Sequence, residues 1–359
     1  MVCTKCILPD NYPGIAFDAD GVCNFCRSHE ASRYLGRAAL EEAIAASTKD
    51  ANGRPRCIVP VSGGKDSTYV LYYLVKELGV DAVAMNYDGG FTHPDATANL
   101  QKMTDRLGVE LVTVRRTHQQ KLMVGNLRAY LERPTPSMVP LMCTGCRIGI
   151  VGSACQVARE QGIDTIVMGW SHIEEAPFKA NSLTADGGSV LRGLVKNVLQ
   201  NPRYLLQGGP LTQVADYVHS YSRVRDWGTA LRLLHPGVRH VSFFGFIDYD
   251  PEQVQRTVME EVGWTSPDPE NSWRFDCTVK LLLGHLYRSA WGFTADHDYL
   301  SAKIREGYIT REQALAAVRK SEARADEAFE ELSAMLHEVG AADLVPRLAA
   351  LRRTDAAVA

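Results

Sequence analysis

No apolar run in the sequence approaches the length of a membrane span, and the opening Met-Val-Cys-Thr-Lys-Cys lacks the apolar core of a secretion signal. Neither sign of charge is in great excess: 39 Lys and Arg stand against 42 Asp and Glu, a formal net charge of −3 that exerts no global pull toward nucleic acid. Internal repeats, long low-complexity tracts and an N-terminal catalytic-cysteine module that would release ammonia are also missing. These absences predict a cytoplasmic protein acting on a small-molecule substrate, with neither a membrane nor a nucleic acid as partner. What is present is ordinary for a globular chain: 45% hydrophobic and 23% charged residues over 359 positions, enough to bury a sizeable core. Nine cysteines without an export signal point to metal ligation or redox chemistry rather than to a disulfide framework.

The most informative run is Ser62-Gly63-Gly64-Lys65-Asp66-Ser67, which directly follows the apolar stretch Cys57-Ile58-Val59-Pro60-Val61. Two glycines allow a tight turn that presents bare N–H groups, and Ser67 and Thr68 open a helix whose N-terminal dipole favours an anion. The four-residue spacer and terminal Gly-Lys-Ser/Thr of the Walker loop are absent. The competing reading is a plain glycine turn between a strand and a helix.

Around this cradle the pattern alternates. Strand 57–61 leads to helix 67–78, strand 80–87, helix 94–107, strand 110–114, helix 118–131, a Pro-Thr-Pro loop, helix 147–161 and strand 165–168. A helix is also expected over 30–46, a strand over 239–247, a helix over 251–262, and two or three helices over 295–340. Strands separated by helices predict an α/β fold with a doubly wound parallel sheet, whose ligands bind beyond the carboxyl ends of the strands. That puts the cradle, Asn86 to Gly90 and Gly169 to Glu174 along one edge. Asn86 and Asp88 are placed to meet adenine or ribose, with a simple turn as the alternative. Gly169 and His172 are placed near phosphate, with a solvated loop histidine as the alternative at His172. The expected organisation is a cysteine-rich segment 1–28, an α/β domain 29–250 that carries the cradle, with an insertion near 176–235, and a mostly helical region 251–359.

Cys3-x-x-Cys6 and Cys23-x-x-Cys26 are separated by sixteen residues, a spacing that closes four thiolates around one Zn²⁺ in a structural zinc ribbon. Cys143-Thr-Gly-Cys146 stands ahead of a helix, whose N-terminus favours a thiolate. With Cys277 as a third ligand this pair would hold a [4Fe–4S] cluster with one open iron. The alternative, an inert or disulfide-forming pair with Cys277 in the core, is equally open. Cys57 and Cys155 read as packing residues.

The order strand, Ser-Gly-Gly-Lys-Asp-Ser, helix resembles the PP-loop of the ATP pyrophosphatases, which implies an adenine nucleotide alpha hydrolase-like fold. Cys3-x-x-Cys6 with Leu8-Pro9, Pro13-Gly14-Ile15-x-Phe17-Asp18 and Gly21-Val22-Cys23-Asn24-x-Cys26 resembles the opening of the N-acetyl sugar amidotransferases within that group. Tyr249-Asp250-x-Glu252, Gly263-Trp264 and Gly307-x-Ile309-Thr310-Arg311-Glu312 are similar to them as well. The resemblance implies that ATP with Mg²⁺ adenylates an oxygen of a sugar or sugar nucleotide and that ammonia from a separate glutaminase displaces AMP. Ser62, Gly63, Gly64, Lys65 and Ser67 would neutralise the phosphates, and Asp66 would hold Mg²⁺ or orient the cradle. The cysteines Cys143, Cys146 and Cys277 depart from that family and resemble those of PP-loop thiolases, which implies instead a sulfur-donor protein and sulfur insertion through a cluster or a persulfide.

Overall fold

The computed structural model describes residues 1–143, 145–171, 173, 190–203, 211, 235–268 and 273–351. Its centre is a five-stranded parallel sheet: β1 (Arg56–Pro60), β2 (Asp81–Asp88), β3 (Glu110–Arg115), β4 (Thr165–Met168) and β5 (Arg239–Ser242), in the spatial order β3-β2-β1-β4-β5. The chain starts in the middle, winds outward through β2 and β3, then returns to lay β4 on the other side of β1. The strand order reverses between β1 and β4, and the loops that leave those two strands diverge there and open a crevice.

Both faces of the sheet are apolar because both are covered. On one face Cys57, Val59, Ala82, Ala84 and Val167 pack against α1 (Arg37–Ala45), α2 (Lys65–Tyr72) with the π turn that follows it, and α3 (Pro94–Leu107) through Leu40, Ile44, Leu71, Leu74, Leu100 and Met103. On the other, Ile58, Val83, Met85 and Ile166 meet Val151, Ala154 and Ala158 of α5 (Cys146–Glu160). Each buried Val, Leu, Ile or Met side chain among them contributes about 1.5–3 kcal/mol. Helix α4 (His118–Glu132) follows β3, and its Met123, Leu127 and Tyr130 turn away from the sheet into a third cluster. That cluster joins Cys3, Cys6, Cys23 and Cys26 to Val279, Leu282 and Leu286 of α6 (Val279–Trp291) and to Leu332 and Leu336 of α9 (Ala325–Glu338). Between them run α7 (Ala295–Arg305) and α8 (Arg311–Ala323).

The expected helix over 94–107 and strand over 165–168 have the same limits in the structure. Helix 30–46 begins only at Arg37, and helix 67–78 begins earlier, at Lys65, and widens into a π turn over Tyr73–Glu77 before the left-handed Gly79. The strand over 239–247 stops at Ser242, where the 3₁₀ turn Phe243–Gly245 takes over. The Pro-Thr-Pro loop leads into the 3₁₀ segment Pro136–Cys143. By length and composition the stretch Pro136–Glu160, which takes in this segment and α5, is long and apolar enough to cross a membrane, against the expectation of no such run. Its apolar residues have partners within the protein: 53% of the most apolar window is buried, and Met138, Val139, Leu141 and Met142 belong to the third cluster. Most of the expected insertion 176–235 lies outside the described residues; within it, Val190–Gln200 is a helix.

Candidate active site

The turn after β1 is fixed by its own glycines. Gly63 lies in the left-handed region at φ +81°, and a Cβ there would stand 2.1 Å from the carbonyl oxygen of Ala96 on α3. Only glycine lets the loop press this closely on that helix. The Gly63 carbonyl accepts hydrogen bonds from Trp264 Nε1 at 2.9 Å and Asn99 Nδ2 at 3.3 Å, so the turn is anchored both to α3 and to the segment carrying Trp264. Ser62 Oγ accepts from the Gly64 N–H at 3.3 Å, and Ser67 Oγ accepts from the Ser62 N–H at 3.2 Å. No side chain caps α2. Its first-turn N–H groups and the dipole behind them form an anion site of the kind that holds phosphate oxygens.

Lys65 does not reach out from this loop. Its Nζ lies 2.8 and 2.9 Å from the two carboxylate oxygens of Asp66 and 3.0 Å from Tyr249 Oη, and the Tyr249 hydroxyl donates to Asp66 Oδ1 at 2.9 Å. Lys65 and Asp66 are only 5% and 8% exposed, and this buried triad both fixes the first turn of α2 and spends the carboxylate charge internally. Thr68 is fully buried, and its hydroxyl bonds the Gly64 carbonyl at 2.9 Å.

A cavity of about 350 Å³ opens at the β1/β4 crevice. Ser62, Gly64, Lys65, Asp66 and Ser67 form one wall; Gly169, after β4, forms another, pressed so closely on α2 that a Cβ would lie 3.0 Å from Val70 Cγ2. Cys143, Cys146 and Cys277 line the same cavity. Cys146 is the first residue of α5, entered through the left-handed Gly145 (φ +92°). Cys277 is brought back from the far end of the sequence by an antiparallel bridge to Thr92 and by the Thr278 N–H, which bonds the Phe91 carbonyl at 2.9 Å. The cradle and the three cysteines thus share one cavity.

Asn86 and Asp88 stand elsewhere. The buried Asn86 amide donates to the Val61 carbonyl at 2.9 Å, and Asp88 accepts from the Gly90 N–H at 2.8 Å and from Arg115 Nε at 2.7 Å. Both hold loops in place, and neither lines the cavity. His172 lies outside the described residues.

Several groups that the sequence did not single out line the cavity: Arg147, Tyr87, Arg274, Lys280, Tyr287 and Asp276. Tyr87 fits because α5 passes it at Gly149, where a Cβ would stand 2.3 Å from the ring. Burial, and then the charge of Cys146, pushes the Tyr87 hydroxyl up to about 12. Burial, followed by the charges of Cys143 and Cys146, holds the Cys277 thiol well above its ordinary range. Burial also raises the Asp276 carboxyl, opposed by a hydrogen bond from Ser62. Arg274, at φ +50°, is the one non-glycine residue in the left-handed region among the described residues, so backbone strain is concentrated beside this cavity.

Cys3, Cys6, Cys23 and Cys26 form a separate site, and among the described residues they are the one group of metal-ligating side chains whose ligand atoms all lie within 4.8 Å of one another. The Sγ pairs Cys3–Cys26 and Cys6–Cys23 are 4.0 and 3.8 Å apart. A tetrahedral ion with Zn–S bonds of about 2.3 Å sets its sulfurs roughly 3.8 Å apart, so the residues fit zinc. The N–H groups of Cys6 and Cys23 point at Cys3 Sγ at 3.4 and 3.3 Å, as in a metal knuckle. A hydrogen bond from Cys26 lowers Cys6 to about 5, while burial raises Cys23 to about 11 and the Cys6 thiolate raises Cys26. Arg311 Nε clamps the Cys3 and Cys6 carbonyls, and Ser301 Oγ accepts from the Ile7 N–H, tying the knuckle to α7 and α8.

Fold and site define a doubly wound α/β protein with an anion cradle at its switch point and a four-cysteine cluster whose spacing fits a metal ion. No protein-family model and no curated protein matches the chain. Among solved structures it is similar to the U34-tRNA thiolase NcsA from Methanococcus maripaludis with its [4Fe–4S] cluster, at a TM-score of 0.34 and 15% identity over 86% of each chain, a likeness too distant to carry residue roles across.

Proposed function

We propose that this protein is an ATP-dependent adenylating enzyme that activates a carbonyl or amide oxygen of its substrate and replaces it with sulfur. One observation carries the reading: the Ser62–Ser67 cradle and Cys143, Cys146 and Cys277 line the same cavity. The alternative, amidation with ammonia from a glutaminase, shares the first half-reaction but leaves those three cysteines without a part.

In the first half the substrate oxygen attacks the α-phosphorus of ATP and pyrophosphate leaves. The Gly64 and Ser62 N–H groups, released from the Ser62 and Ser67 hydroxyls that accept from them, donate with the first-turn N–H groups of α2 to phosphate oxygens, while Arg147, Arg274 and Lys280 add positive charge from the cavity lining. AMP is a far better leaving group than hydroxide. A sulfur nucleophile then forms the new C–S bond as the C–O bond to AMP breaks. The three cysteine sulfurs do not meet the 4.8 Å spacing that marks a single-ion site, and an all-sulfur donor set suits an iron–sulfur cluster. Cys143, Cys146 and Cys277 would hold such a cluster, which when bound supplies an open iron to carry sulfur. Tyr87 and Tyr287 line the same cavity, and burial raises both hydroxyls further above neutral pH.

Anaerobic purification with iron and sulfide analysis, paired with a pyrophosphate-release assay, tests this. The expected result is a brown, oxygen-sensitive protein with about four irons per chain, in which Cys277→Ala abolishes sulfur transfer but spares ATP binding. A colourless protein holding zinc alone, fully active as Cys277→Ala with ammonium as the donor, would reject it.

A further inference from the structure

Four carboxylates line the cavity, Asp66, Asp276, Asp296 and Asp298; Asp66 lies in the cradle and Asp276 against it, and these two differ in what meets their charge. Both oxygens of Asp66 are engaged by Lys65 Nζ, and Oδ1 also accepts from Tyr249. That carboxylate is neutralised within the protein. Asp276 bonds the Ser62 hydroxyl, and Arg274 acts on it at longer range. Its Oδ2 lies 3.3 Å from where a Cβ on Gly64 would stand, so it reaches into the space that the second cradle glycine leaves open.

The position is held firmly. The Asp276 carbonyl accepts from the His93 N–H at 3.0 Å, and the next residue is bridged to Thr92. A rigidly placed carboxylate inside a phosphate site is a conflict, because two like charges about 4 Å apart repel by roughly 4 kcal/mol at an effective dielectric near 20. A divalent cation between them turns the repulsion into attraction, and Mg²⁺ is commonly bound by one or two carboxylates together with substrate phosphates.

We propose that Asp276 holds the divalent cation that accompanies a nucleoside triphosphate in this cavity, the role that the sequence pattern offered to Asp66. The assignment rests on the nucleotide reading given above.

Calorimetric titration with ATP, once with Mg²⁺ and once with EDTA, separates the two. The wild type is expected to bind Mg·ATP much more tightly than metal-free ATP. Asp276→Asn is expected to weaken Mg·ATP at least tenfold while leaving metal-free ATP unchanged or tighter, since the repulsion is gone. Asp276→Glu, which keeps the charge one methylene farther out, is expected to retain the metal dependence at reduced affinity, and it stands in if the Asn variant does not fold. Equal losses in both titrations would mark a structural role and overturn the assignment, as would no change in either or a Glu variant indistinguishable from wild type. Failure of the wild type to bind ATP under both conditions would overturn the nucleotide reading itself, and this assignment with it.

Discussion

Gly63 and Ala96 are packed so closely that the cradle turn and α3 behave as one piece: a Cβ on Gly63 would stand 2.1 Å from the Ala96 carbonyl oxygen, on a backbone already at φ +81°. Gly63→Ala therefore has to move α3 or flatten the turn. Either change also strains the hydrogen bonds from Trp264 and Asn99 to the Gly63 carbonyl. The expected cost is about 3 kcal/mol or more, read as a lower urea midpoint at an unchanged slope, together with loss of ATP binding. Stability within 0.5 kcal/mol of wild type would show that the turn can relax.

The Lys65–Asp66–Tyr249 triad gives a ranked prediction. Lys65→Met leaves a buried carboxylate without its cation and is expected to cost roughly 3–5 kcal/mol. Tyr249→Phe removes hydrogen bonds but keeps the ion pair, and is expected to cost about 1–2 kcal/mol. Equilibrium unfolding of both variants checks the order. A reversal would mean that the hydroxyl, not the ammonium, holds Asp66.

The four-cysteine knuckle should bind one zinc per chain. Because Arg311 and Ser301 hold its backbone, losing the metal is expected to loosen more than the first 28 residues. Structural zinc contributes on the order of 10 kcal/mol to its own domain. Cys26→Ser, or treatment with a strong chelator, is expected to release the zinc and to speed hydrogen exchange in α7 and α8 while β1 and β2 stay protected. Exchange confined to residues 1–28 would show that the clamp carries no coupling.

Much of this was legible in the sequence because it is local. The alternation of strand and helix, the glycines of the cradle and the paired Cys-x-x-Cys knuckles each lie within a few residues of one another, and periodicity and turn chemistry act at that range. Asp276, Arg274 and Tyr249 were not legible as site residues. Asp276 and Arg274 reach the cavity, and Tyr249 reaches Lys65 and Asp66, through contacts nearly two hundred residues apart in the chain, such as Lys65 to Tyr249 and Thr92 to Cys277. Residues 273–278 have no helical or strand period to read. Asn86 and Asp88 show the reverse case: a turn at the right edge of the sheet suggests a ligand, but their side chains are spent on Val61, Gly90 and Arg115.

The start of α7 carries a pH prediction. His297 is the N3 residue of a capping box: its Nδ1 accepts from the Thr294 N–H at 3.2 Å, which requires that nitrogen to be unprotonated. Burial lowers its pKa from 6.5 to about 4, opposed by the Asp296 carboxylate and assisted by Arg288. The unfolded chain takes up this proton first on acidification, so it binds more protons than the native state between those two values. His297 therefore contributes stability that is fully present above pH 6.5 and is lost progressively as the pH falls toward 4. A shift of this size corresponds to about 3 kcal/mol. His297→Gln keeps a capping acceptor at N3 but cannot titrate. Its stability relative to wild type is expected to rise as the pH falls from 7 to 4, by on the order of 2–3 kcal/mol. Denaturant unfolding of both proteins at several pH values measures the difference directly, and parallel curves across that window would show that His297 titrates alike in the folded and unfolded chain.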